Sequence, residues 1–419
     1  MATGSIFQSS QFGPPGGMRP PVFGGGTPPA TATQSPPTGS GFLGGGLLGS
    51  LDSVHLGESH NPSFSDLRTQ AVNRINSPIP RPDIQLGPRV EVAVVDGFRP
   101  QMFGQQDTHG FGVADVVRQQ TGLNQDQIAL ISDSPMMGAP NPGLGLLTAP
   151  GPESASQRLT SMIEVNAASG LSNTNTTLEA IANQDAPNLK GVNYSTGMST
   201  LTGFSSLRNM ALSYPESGPP SITPYGKVIF DGLGLPQDTT PETMRAFAEK
   251  GMARIEQVHS DSPLVQAQLE RHDAVSERLA ERGVHYTVSA GNDGGVIDMY
   301  RGAGVKLPDT ADDNLYSNDH NVTVGSLDTR GTADPGDDVM AAHTSGDPQI
   351  DFLAPGVDTK VKIFSKEETV SGTSYASPHL MSNLVNLSRD NPGLSTSAVQ
   401  NLLRNSAGSV PNSSYSAVR

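Results

Sequence analysis

Two patterns of apolar and polar positions recur along this chain: short apolar runs, and longer stretches with apolar residues at helical spacing. The run RVEVAVVDGF (residues 89–98) is rich in β-branched residues and ends in Asp96 and Gly97, which predicts a buried strand with a carboxylate at its C-terminal end. The next stretch, DTHGFGVADVVRQQTG (107–122), places Val113, Val116 and Val117 at helical spacing behind His109, with Gly122 as a stop signal. QIALIS predicts a second strand, TTLEAIANQ a helix and LKGVNYS a third strand. Leu264, Val265, Leu269, Val275 and Leu279 give residues 263 to 282 an apolar helix face that Gly283 ends. VHYTVSAGN and NVTVGSLD predict two more strands, and GTSYASPHLMSNLVNLSRDNPG opens a long buried helix. This alternation predicts an α/β fold, a mostly parallel sheet flanked by helices on both faces. In such sheets functional groups gather outside the carboxyl ends of the strands.

Composition sets domain limits around this pattern. Residues 1–50 hold 13 Gly, 8 Pro, 6 Ser and 5 Thr, with Arg19 as their sole charge, so they are expected to form a disordered extension that buries too little apolar surface to order itself. Residues 51–87 are expected to be a linker or short pro-segment, and 88–419 a single domain with an inserted segment at about 200–262. In that insert Thr240 and Pro241 start a helix on which Ala246, Met252 and Ile255 recur. The insert reads as a lid or specificity element, or equally as a surface decoration.

Charge and cysteine content narrow the chemistry. The 419 residues carry 41 acidic and 26 basic side chains, a net charge of -15. No basic cluster is present to track phosphates, so nucleic acid is not an expected partner. Cysteine is absent, which excludes disulfides, thiolate metal sites and a Cys nucleophile. The N-terminus lacks a basic start followed by an apolar run, and no stretch has the apolar length of a membrane span. The expectation is therefore no Sec signal and no membrane partner, with the protein cytoplasmic or exported by a non-classical route. The acidic run DTADDNLYSNDH (309–320) offers oxygen ligands to calcium, but it lacks the spacing of an EF-hand loop and reads as a solvated turn. His343 and His379 show no metal-ligand pairing, so no metal site is assigned and no cofactor is required.

The stretch EETVSGTSYASPHL (367–380) joins an extended run to a helix start. Ser374 there has two readings. It either caps the helix, with Pro378 tolerated in the first turn, or it is a nucleophile where a helix N-terminus stabilises negative charge. Asp96 at a strand end, His109 at a helix start and Ser374 at another fall in the order Asp, His, Ser, which is the order found in subtilisin.

These blocks resemble the subtilisin-like serine proteases (subtilases, peptidase S8). VAVVDGF is similar to their aspartate motif, HGFGVA to their histidine motif, and GTSYASPH matches every specified position of Gly-Thr-Ser-x-Ala-x-Pro-His. SAGNDG resembles the block that supplies an oxyanion donor, VNYSTG the strand that pairs with substrate backbone, and DFLAPG the block upstream of the serine. The resemblance implies a triad of Asp96, His109 and Ser374, with an oxyanion hole from Asn292 and the Ser374 N–H. It implies peptide-flanking segments Ser195, Thr196, Gly197 and Ser289, Ala290, Gly291, and hence a serine endopeptidase acting on proteins or peptides. His379 belongs to the serine block and is expected to pack under it. Departures are Gly97 in place of a hydroxyl residue, Gly112 in place of the second His, and the missing calcium-loop insertion after the His109 helix. The rival reading is a catalytically impaired, peptide-binding scaffold of the same fold. A third is an esterase or amidase with the same triad; the missing GxSxG elbow argues against an α/β-hydrolase fold.

Overall fold

A computed structural model describes residues 62–419 except 103–104, 134–142, 216–217, 347–348 and 412. The expected extension at 1–50 and residues 51–61 lie outside the described residues. The main sheet runs in space as Gly408–Ser409, Ser416–Ala417, Phe352–Pro355, Val322–Asp328, His285–Ser289, Gly191–Tyr194, Val92–Asp96 and Ile128–Ser132, with Val339–Met340 paired to Val322–Asp328. From Phe352–Pro355 to Ile128–Ser132 every neighbouring pair is parallel. The expected α/β class, with a mostly parallel sheet flanked by helices, is the class observed.

Strand composition follows from burial on both faces. Val92 and Val94 share a buried cluster with Val113, Val116 and Val117 of helix His109–Thr121 and with Met381 and Val385 of helix Thr373–Asp390. Ala93 and Val95 join the opposite cluster, with Leu171 and Leu178 of helix Ala155–Ala182 and Val275 and Leu279 of helix Pro263–Glu281. Successive side chains alternate across a strand, so Asp96 emerges on the side of Val92 and Val94, under the His109 helix. In chain order the first strand lies between the second and the third. The strand order therefore reverses between Val92–Asp96 and Gly191–Tyr194, which opens a crevice at their carboxyl ends.

Two segments are more integral than their sequence suggests. Residues 62–87 include helix Phe64–Asn76, capped by Ser63 and Asp66 in a reciprocal box, with Phe64, Ala71 and Ile75 buried in the main core. Within 200–262, helices Thr200–Ala211, Pro224–Gly232 and Pro241–Asp261 build a second core with Leu159, Met162 and Ile163 of the long Ala155–Ala182 helix. Phe204, Phe230 and Phe247 lie at its centre, with the Phe230 and Phe247 rings stacked 4.9 Å apart. Thr240 caps the last of these helices through the Thr243 N–H, and Pro241 takes its first turn, as expected.

Candidate active site

Asp96 closes its strand and His109 opens its helix, and register brings the two together. His109 Nδ1 lies 2.8 Å and 3.0 Å from the two Asp96 carboxylate oxygens. A carboxylate only accepts, so Nδ1 carries the hydrogen, and in the neutral ring Nε2 is the basic nitrogen. Asp96 Oδ1 also accepts from the Gly97 N–H at 2.6 Å. This main-chain donor is present whatever non-proline residue stands at 97, so Gly97 keeps it while lacking the hydroxyl of the resembled family. Gly112 has a physical reason. A Cβ there would sit 3.3 Å from the Tyr375 ring, so the glycine lets the His109 helix pack closely on the helix that carries Ser374. The His109 and Tyr375 rings lie 5.4 Å apart.

Ser374 is the second residue of helix Thr373–Asp390, whose cap Gly372 has φ 155° and ψ 156°. First-turn N–H groups have no intrahelical acceptor, so the Ser374 N–H and the positive end of the helix dipole face the carboxyl ends of the strands. Pro378 is the sixth residue of this helix, in its second turn, not its first as the sequence suggested. In the structure the Ser374 hydroxyl donates to the Ser195 carbonyl at 3.3 Å, and the Ser195 hydroxyl donates to the Ser374 carbonyl at 2.9 Å. Asp96, His109, Ser374 and Asn292 are all buried, with Ser374 0% exposed.

Asn292 follows Gly291, whose φ of 108° suits glycine. The Asn292 Oδ1 accepts from the Thr373 N–H at 2.9 Å and from the Thr373 hydroxyl at 3.1 Å. A backbone N–H can only donate, so these bonds fix the amide orientation and turn Nδ2 the other way. Gly291 N in turn donates to Thr373 Oγ1. The SAG segment is held by its neighbours: Asn314 Nδ2 donates to Ser289 O, Ala290 N to Val324 O, and Ser345 N to Gly291 O. Asn314 Oδ1 accepts from Met198 N, so this one side chain braces the SAG and STG segments together. Thr196 is half-buried, while Ser195, Gly197, Ser289, Ala290 and Gly291 are buried.

Several of these residues escape sequence reading. Asn314 sits in the acidic run expected to be a solvated turn; Asp312, Asn314 and Tyr316 are instead buried, because Asp312 accepts from Gly346 N and Asn314 cross-braces the site. Beside Asn292, Asp293 accepts from Ser199 and Thr202 hydroxyls, and burial holds its carboxyl above the usual carboxylate range. Asn193, Thr287 and Ser377 form a buried polar group under Ser374, legible only as polar residues interrupting apolar runs. His379 is mostly buried, and that burial holds its pKa down to about 4. A cavity of about 490 Å³ lined by Asn383, Asn386, Leu387 and Asp390 lies toward the other end of the serine helix, roughly 20 Å along its axis from Ser374. Among the described residues no group of three His, Asp or Glu converges to hold a metal, and no helix is long and apolar enough to cross a membrane.

Solved structures similar to this chain include the prenylagaramide maturation protease PagA, at 15% identity with 80% of this chain and 88% of that chain covered and a TM-score of 0.36. A lanthipeptide protease shows 14% identity, coverage of 82% and 86% and a TM-score of 0.36. A cold adapted subtilisin-like serine proteinase shows 15%, 85%, 98% and 0.35 for the same measures. A search of curated proteins finds no match. The subtilase family model, Peptidase_S8, matches residues 233–417, a stretch that contains Asn292 and Ser374 and begins after Asp96 and His109. The match makes residues 233–417, somewhat under half of the chain, similar to the subtilase family.

Proposed function

We propose that this protein is a serine endopeptidase that hydrolyses peptide bonds through Asp96, His109 and Ser374. The subtilase-family match supports serine peptidase chemistry at the level of the family. The observation that carries the residue assignment is the two-oxygen contact of Asp96 with His109 Nδ1, which leaves Nε2 as the base, on the helix packed beside Ser374. In the reaction the Ser374 hydroxyl leaves the Ser195 carbonyl and turns to His109. His109 Nε2 takes the hydroxyl proton as Ser374 Oγ attacks the scissile carbonyl, and Asp96 stabilises the imidazolium. The tetrahedral oxyanion is held by Asn292 Nδ2 and the Ser374 N–H. His109 then returns the proton to the leaving amine, and water hydrolyses the acyl-enzyme by the same route. The peptide lies extended along the STG and SAG segments as an added strand, with Thr196 the partly exposed member.

The test is hydrolysis of an unfolded protein by the purified full chain, with Ser374→Ala as control. New internal cleavages with the native chain alone are expected. Peptide binding without cleavage, by a chain of intact fold, would favour the scaffold reading.

A further inference from the structure

We propose that Ser195 is a positioning residue for the nucleophile, acting through the Ser374 carbonyl that Pro378 leaves without its helical donor. This rests on Ser374 being the nucleophile. In a regular helix the carbonyl of residue 374 would accept from the N–H of residue 378. Proline has no N–H, so that acceptor is open at a buried position. The Ser195 hydroxyl fills it at 2.9 Å, while Asn193 Nδ2 donates to Ser195 Oγ at 2.8 Å and so directs its single hydrogen toward Ser374. Asn193 Oδ1 accepts from Ser377 at 2.8 Å and Thr287 at 3.2 Å, so the relay is braced from the same helix and from strand His285–Ser289.

The match between strand and helix is systematic. Gly191, Asn193 and Ser195 project on one side of their strand, at every second residue. They meet Met381, Ser377 and Ser374, which lie three to four residues apart on one side of the helix. Glycine gives a close approach at the first pair, since a Cβ at Gly191 would lie 2.6 Å from Met381 Sδ and force that side chain to shift. Ser195 is therefore the last of three successive seats for the serine helix, the one at the reacting residue. Its own carbonyl accepts from the Ser374 hydroxyl, so the two serines are joined at main chain and side chain in both directions.

The test is a double-mutant cycle on the full chain: wild type, Ser195→Ala, Pro378→Ala and the double variant, each measured for the second-order rate of Ser374 labelling by a fluorophosphonate and for Tm. Ser195→Ala should label about tenfold more slowly while folded, the size of one lost anchoring hydrogen bond. In the Pro378→Ala background the restored N–H at 378 takes the Ser374 carbonyl, so the same change should cost less than about threefold, with a smaller loss in Tm. Equal rate losses in both backgrounds, or a wild-type rate with only a lowered Tm, would overturn the proposal. If Ser195→Ala does not fold, Pro378→Ala and the double variant decide: rates within about threefold support the proposal and a tenfold gap overturns it. An unlabelled wild type would sink the nucleophile assignment instead. The Tm values would then still show whether the carbonyl passes from Ser195 to residue 378, an equal Tm loss in both backgrounds refuting it.

Discussion

Replacing Asn292 with leucine separates its two bonding roles. Its Oδ1 accepts both the N–H and the hydroxyl of Thr373, a residue 0% exposed at the start of the serine helix. Leucine leaves that N–H buried without a partner, at a cost of about 1–3 kcal/mol. With an unfolding entropy near 2.1 cal/mol/K per residue over roughly 350 folded residues, the cost corresponds to a Tm loss of about 1–4 °C. In the proposed mechanism the amide Nδ2, by contrast, acts on an oxyanion that exists only in the transition state, so its loss should lower kcat and leave KM nearly unchanged. The expected fall is about 10²–10³, a value established for subtilisin and carried over here. The assay is kcat and KM on a peptide substrate well below the Tm of either protein, with Tm measured in parallel. A fall in Tm with kcat unchanged would reduce Asn292 to a brace for Thr373 and remove it from the mechanism.

Ser374→Ala and His109→Ala should each abolish most turnover, and the double variant should be hardly worse than either, because the groups act as one unit; losses that multiply in steady-state kinetics would contradict this. Burial holds His259, His285 and His379 at about 4 against an ordinary value of 6.5. Each takes its proton first in the unfolded chain, so the stability from keeping them neutral is complete above about pH 6.5 and is lost as pH falls toward 4. Three such groups give up to about 4 kcal/mol, or roughly 5 °C in Tm, per pH unit in that window; a Tm that stays flat from pH 7 to 4.5 would refute the assignment. His272 is likewise held down to about 4 by burial, against the opposing pull of the Tyr316 carbonyl, and adds to the loss in the same direction. Gly191→Val should lower Tm by about 1–4 °C by pressing on Met381 and Val385; an unchanged Tm would show that the serine helix can move away without cost.

The parallel strands and the residues brought together at Asp96 and His109 were legible because apolar runs and motif residues occupy the same short segments. The helix Ala155–Ala182 was visible only at its C-terminal end. The stretch that leads into that end, LSNTN, is polar by composition, yet Ser172, Thr174 and Asn175 are buried, as is Thr177 just beyond it. The threonines satisfy their hydroxyls on the helix itself, Thr174 to Gly170 O, Thr176 to Ser172 O and Thr177 to Asn173 O, so burial costs little and hydropathy misleads. The braces at Asn193 and Asn314 were hidden for a different reason. Each is a single polar residue whose bracing partners across the site, Thr287 for Asn193 and Ser289 and Met198 for Asn314, lie 94 and 25 or more positions away, and only the folded register brings them together. Pro378 was read as a tolerated first-turn residue because the helix start was placed too late; its position in the second turn is what opens the Ser374 carbonyl.

The central claim is that His109 activates Ser374, and intact-mass analysis after fluorophosphonate treatment tests it most directly. The native chain should gain one adduct, mapped by peptide sequencing to Ser374, and His109→Ala with an unchanged fold should gain almost none in the same time. No adduct on the natively folded wild type, an adduct at another serine, or equal labelling of the His109→Ala variant would contradict the account.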